Sequence, residues 1–240
     1  MAAQTEKVDS WEISVLLRGE LETITAWIRQ WSGRRSLLHV GVIILGAGCY
    51  GAAVGWWRDG QQALYTAIKL PLIILLTTAS NGALNAMLAP LLGLDIAFRQ
   101  SLSLILMSFT ITATILGAFS PLVAFVIWNA PDAGSATASG TTYDLILVGH
   151  VLLIAFAGIT GNVRLFQLLK QLGKSQRIAR RVLLAWLAGN LFLGAQLSWI
   201  LRPFVGAPGL PAEFLRQTAF RGNFYEAVYR ALLHIFHLTH

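Results

Sequence analysis

Apolar residues run in five long blocks, separated by short segments that hold most of the charge. The blocks fall at about 37–57, 71–92, 101–127, 143–163 and 182–201. Each is near the roughly 20 apolar residues that a helix needs to cross a hydrocarbon core of about 30 Å. The pattern predicts an all-α fold: a polytopic membrane bundle of about five transmembrane helices. A cytoplasmic amphipathic N-terminal segment (1–36) precedes the membrane domain (37–201), and a short helical C-terminal tail (202–240) follows it.

Residues 10–31 read as one amphipathic helix, with Ser10 as N-cap and Glu12 in the first turn. Trp11, Val15, Leu17, Leu21, Ile24, Ile28 and Trp31 make its apolar side, and Arg18, Glu20, Glu22 and Arg29 lie largely elsewhere. Such a helix either lies in the membrane interface or docks on the cytoplasmic loops. The first 37 residues mix acids and bases without a continuous apolar run, so a cleavable signal peptide is not expected.

The first block is rich in glycine, including the pair Gly51 and Gly55, which suits close helix packing within the chain. The stretch from Gln61 to Gly93 is too long for one straight crossing. We expect an interfacial approach to Lys69, a bend at Pro71 and a crossing from about Pro71 to Leu92. Its polar middle, Thr77 to Gly82, suggests a kink or unwound turn, with a re-entrant hairpin as the competing topology. The third block is rich in Ser and Thr and carries Pro121 near its end. A Gly/Ser/Thr loop without Lys or Arg spans 129–142. Beyond the fifth block, a Pro/Gly turn precedes two short amphipathic helices, near 212–220 and 223–237.

Charge sets the orientation. The loop 164–181 carries Arg164, Lys170, Lys174, Arg177, Arg180 and Arg181 and no acid, which marks it as cytoplasmic. Five spans then put the N-terminus in the cytoplasm and the C-terminus outside, in the periplasm if the membrane is a bacterial inner membrane. Lys7, Arg18, Arg29, Arg34, Arg35 and Arg99 fall on the same inner side. Trp56, Trp57, Trp128 and Trp199 fall at outer ends and Trp31 and Trp186 at inner ends, as an aromatic belt requires.

Composition agrees: 55% of the 240 residues are hydrophobic, 12% are charged and mean hydropathy is +0.62. The net charge of +7 sits mostly beside spans, so anionic headgroups, not nucleic acid, are the expected partner. The single cysteine, Cys49, is expected to be a small packing residue and excludes an intramolecular disulfide. No serine-hydrolase or P-loop motif is present.

Candidate chemistry is sparse. Asn81, Asn85, Thr112 and Asn190 form a polar intramembrane cluster by residue counting. The cluster is either hydrogen-bonding glue between spans two, three and five or the wall of a polar pathway. Lys69, Asp144, His150 and Gln196 lie nearer the outside; Lys69 pairs with Asp144 or snorkels. His150 is either a structural histidine with a hydrogen-bond partner such as Gln196 or a candidate cofactor ligand, for haem or a pigment. His234 and His237, with His240 after them, are the candidate metal ligands. No cofactor is predicted, and a bound lipid is expected.

The second-span stretch KLPLIILL, the turn DIAFRQSLSLIL, Ser120-Pro121 and the pairing of the last two spans resemble the Yip1-like family of five-span membrane proteins. The likeness covers roughly 38–201 and leaves the tail outside it. It implies a compact bundle behind a cytoplasmic N-terminal region, a non-enzymatic organiser or adaptor, and no catalytic residues. The expected function is therefore a non-enzymatic structural or accessory subunit, or scaffold, of a larger membrane complex, with other membrane subunits as partners. A small transporter or channel using a break around Asn81, and a haem- or pigment-binding subunit, are the alternatives.

Overall fold

The computed structural model describes residues 11–131, 140–173, 175–206 and 212–226. Seven helices form the frame: α1 (residues 11–18), α2 (Leu21–Arg29), α3 (Gly33–Gly55), α4 (Gly60–Leu91), α5 (Phe98–Trp128), α6 (Gly140–Gly173) and α7 (Gln176–Leu201). The last five are long and apolar enough to cross a membrane, and no strand occurs among the described residues.

The N-terminal segment is two helices, not one. Gly19, at φ +72°, ends α1: its N–H donates to Leu16 O (3.2 Å) and the Glu20 N–H to Val15 O (3.2 Å). That pair of bonds is a Schellman cap, which favours glycine at the left-handed position. Val15, Leu16, Ile24 and Ile28 are buried against Leu165, Leu168 and Leu169 of α6 and Leu104 and Ile105 of α5. Arg164 donates to Leu17 O (3.2 Å), Thr25 to Gln171 Oε1 (3.0 Å), and Arg35 pairs with Glu12 (3.5 Å). The segment is thus docked on the base of the bundle, although Leu17, Trp11 and Trp31 stay exposed. Ser10 lies outside the described residues.

α3 packs on α4 and α5 through its glycines. A Cβ at Gly51 would stand 2.5 Å from Thr66 O, and one at Gly55 2.6 Å from Gln62 O. A Cβ at Gly46 would overlap the Ala113 carbonyl of α5. The Gly51/Gly55 pair therefore serves packing inside the chain, where small residues let backbones approach.

α4 is helical through Thr77–Gly82, so neither the unwound turn nor the re-entrant hairpin is present. A break there would strand backbone carbonyls in hydrocarbon. Thr78 donates to Ile74 O (2.7 Å), and Gly82 makes room for Leu102, whose Cδ1 lies 3.0 Å from where a Cβ would stand. Asp59 caps the start by accepting from Gln62 N (2.7 Å), and Gly93, at φ +93°, closes the end.

The basic 164–181 segment is not a loop. Arg164 and Lys170 lie on α6, Arg177, Arg180 and Arg181 on α7, and Lys174 lies outside the described residues. The helix continues past the last strongly apolar turn because RLFQLLKQL is built of good helix formers. Ser175 then caps α7 by accepting from Ile178 N (3.5 Å).

Two further expectations are corrected. Trp186 is wholly buried in the core beside Val182 and Leu169 and does not join an interfacial belt. Cys49 is exposed, on the wall of a groove between α3 and α5.

Candidate functional site

A cavity of about 440 Å³ lies between α4, α5, α6 and α7. Its walls are mostly apolar, with Ile and Leu the commonest residues. Thr77, Ser108, Thr112, Asn162, Asn190 and Ser198 supply its polar groups, and no charged residue lines it. Ile159 and Leu191 line it while remaining 65% and 63% exposed, so its mouth opens between α6 and α7.

Two of the four residues predicted for the polar cluster, Thr112 and Asn190, line this space, and a third, Asn81, is bonded to Asn190 behind the lining. Asn81 Nδ2 donates to Asn190 Oδ1 at 2.5 Å, tying α4 to α7. Asn81 is wholly buried and its carboxamide rests over Gly189, where a Cβ would stand 3.0 Å from Asn81 Oδ1. Thr112 is on the opposite wall and binds backbone, Ser108 O (3.2 Å) and Ala157 O (3.3 Å). Asn85 is buried one turn beyond Asn81, away from the cavity lining, and its Nδ2 has no partner. Asn162 donates to Gly158 O (2.8 Å). Thr77, which lines the cavity, is 3% exposed and its hydroxyl has no hydrogen-bond partner; Asn81 Oδ1, behind the lining, has none either.

His150 has a different partner from the one expected. Its Nδ1 shares a hydrogen bond with the Tyr50 hydroxyl (3.1 Å), and the two rings stack at 5.5 Å with 12° between planes. Gln196 is on α7 and takes no part. The pair borders a second cavity of about 450 Å³ between α3, α5 and α6. His234, His237 and His240 lie outside the described residues; among the described residues no cluster suited to a metal ion occurs.

Lys69 is the largest departure from expectation. It does not snorkel: it is wholly buried. Its Nζ donates to Pro203 O (3.1 Å) and Glu213 O (3.2 Å), and lies 5.4 Å from the ring centre of Phe214 and 5.9 Å from that of Tyr65. The Asp144 side chain is outside what the structure describes. Gln62 and Thr66, on the same face of α4, bind the tail as well. Gln62 Nε2 donates to Pro203 O (2.9 Å) and Phe204 O (3.0 Å), and Thr66 to Phe204 O (2.6 Å). Residues 212–220 form bends and a turn instead of the expected helix, with the Glu213 carbonyl accepting from Lys69. The second expected helix begins at 224–226 and otherwise lies outside the described residues.

Sequence reasoning missed Thr77, Asn162 and Ser198 as cavity residues. The signal available for Thr77 was its place four residues before Asn81 on one helical face. No family model, no curated protein and no solved structure matches the chain.

Proposed function

We propose that this integral membrane protein is a non-enzymatic subunit or scaffold of a larger assembly, which packs against its partner through the α6–α7 flank. The observation that carries this is the uneven burial of the spans. In the most apolar stretch of α3, α4 and α5, 44%, 44% and 50% of residues are buried; in α6 and α7 the shares are 17% and 6%. A bundle held together by packing in lipid gains little from helices so sparsely covered. A further helix laid on α6 and α7 would supply the missing contacts. The docked segments at the two ends fit the same role, since α1–α2 and the described part of the tail are bonded to the bundle. The Yip1-like layout supports an organiser rather than a catalyst. The basic residues at the α6–α7 turn support a cytoplasmic N-terminus and a periplasmic C-terminus in a bacterial inner membrane, beside anionic headgroups.

The test is native mass spectrometry after gentle purification from the native membrane, with photo-crosslinkers at Phe192 on α7 and at Leu45 on α3, both exposed. A partner at constant stoichiometry that crosslinks from position 192 and not from 45 is expected. A homogeneous protein without a partner, crosslinked only to lipid at both positions, overturns the proposal.

A further inference from the structure

We infer that the cavity between α4 and α7 is a binding site for an uncharged amphiphile: a molecule with a hydrocarbon body and one hydroxyl or carbonyl, held by Thr77 and the Asn81–Asn190 pair. The size fits, since sites for small molecules range over about 300–1,000 Å³ and are apolar with a few placed polar groups. At about 440 Å³ this cavity has those walls, with hydroxyl and amide groups in place of charges.

The hydrogen-bond inventory points to a ligand. Thr77 lines the cavity, is 3% exposed and leaves its Oγ1 unpaired; the neighbouring Thr78 bonds back to Ile74 O (2.7 Å). Gly194 of α7 lines the cavity beside Thr77: a Cβ there would stand 3.9 Å from Thr77 Oγ1, in van der Waals contact. Asn190 also lines the space, and its contact with Asn81 uses its Oδ1, so its amide N–H groups remain for a guest. A buried hydroxyl in hydrocarbon has no water to turn to. A ligand hydroxyl or carbonyl would satisfy Thr77 and Asn190 together.

Depth sets the ligand's charge. Thr77 and Asn190 lie near the middle of their helices, so the polar end of the guest sits near the membrane centre. A phospholipid keeps its charged headgroup at the interface, about 15 Å away, half of a roughly 30 Å core. Its acyl chain would fill the space and leave Thr77 unpaired. Only an uncharged polar group is at home at that depth, and no cation or acid lines the site to neutralise a charged one. The mouth beside Ile159 and Leu191 admits such a molecule sideways from the bilayer.

The experiment uses the full chain in phosphatidylcholine nanodiscs. Two photoreactive probes are compared: a diazirine-bearing hexadecanol and a phosphatidylcholine with the same diazirine on its acyl chain. Labelled peptides are mapped, and binding of the alcohol is titrated. The alcohol is expected to label α4 and α7 around the cavity at saturable, one-to-one occupancy. Thr77→Val, which keeps shape and removes the hydroxyl, should weaken it about three- to tenfold, the range set by one neutral hydrogen bond. Leu191→Trp, at the exposed mouth, should block labelling without unfolding the bundle. Equal labelling by both probes with no effect of Thr77→Val would mean that bulk acyl chains fill the space, and overturns the inference. So does absence of cavity labelling in well-folded protein.

Discussion

Replacing Lys69 with methionine should release the C-terminal tail from α4 while leaving the bundle folded. Methionine keeps the length and apolar stem but removes the ammonium. Two charge-assisted hydrogen bonds go, to Pro203 O (3.1 Å) and Glu213 O (3.2 Å). Each such bond contributes about 1.5–3 kcal/mol, but much of the gain offsets removing the ammonium from water. Pro203 O still accepts from Gln62 Nε2 (2.9 Å), so the larger loss falls on Glu213 O. One orphaned carbonyl costs about 1–3 kcal/mol, and the lost approach to the Phe214 ring adds about 0.5–1 kcal/mol. A net of about 2 kcal/mol corresponds to a roughly thirtyfold rise in the population of the opened tail. Hydrogen exchange in nanodiscs reads this directly at the amides of 212–222. The expected result is exchange faster by about that factor there, with α5 unchanged. Unaltered exchange in the tail, or faster exchange through the whole of α4, would refute the reasoning, because Lys69 would then support the helix and not the latch.

Two further outcomes follow from the packing. Gly46→Leu should strongly lower the thermal unfolding temperature in detergent, since even a Cβ there would overlap the Ala113 carbonyl; Gly41→Ala should leave it unchanged or raise it, because a Cβ at Gly41 meets nothing within 4 Å and alanine favours helix by about 0.8–1 kcal/mol. A double-mutant cycle on Asn81→Leu and Asn190→Leu should give a coupling of about 0.6–1.7 kcal/mol by steric-trap unfolding, whereas the same cycle on Asn81 and Thr112, which do not bond to each other, should give none.

The five spans were legible because an apolar run of about 20 residues leaves few other structures open to a chain. The ends of those spans were not. Hydropathy falls at Arg164, yet α6 runs on to Gly173, because helix propensity and burial of Leu165, Leu168 and Leu169 continue where the lipid stops. The better end signals were small: Gly19 and Gly93 at positive φ, and Ser175 as an N-cap. Gly82 was misleading for the opposite reason, since a glycine inside a membrane helix marks close packing more readily than unwinding. Among the candidate site residues, counting depth along each span brought Asn81 and Asn190 together. The pairing of Tyr50 with His150 could not be counted out, because it depends on which faces of α3 and α6 meet. The carbonyls that receive Lys69 carry no sequence signature at all, since every residue has one.

One regularity in the sequence ties these separate observations together. Gln62, Thr66, Lys69, Thr77, Asn81 and Asn85 follow each other along α4 at steps of three, four or eight, which puts them on one face. All six are at most 3% exposed. In a soluble helix a polar stripe faces water; here it faces the protein, and α7 with the tail beyond it lies along it. The outer part of the stripe takes tail carbonyls, and the middle takes Asn190 and borders the cavity. α4 can serve both because its 32 residues reach about 48 Å, well beyond a core of about 30 Å. From Lys69 to Asn81 the helix rises about 18 Å. That distance separates a latch near the membrane surface, where carbonyls meet an ammonium, from a mid-membrane contact, where only uncharged groups are tolerated. The change of residue type along the stripe, from Lys to Thr and Asn, follows the change of depth, which is why the cavity at its centre suits a neutral guest.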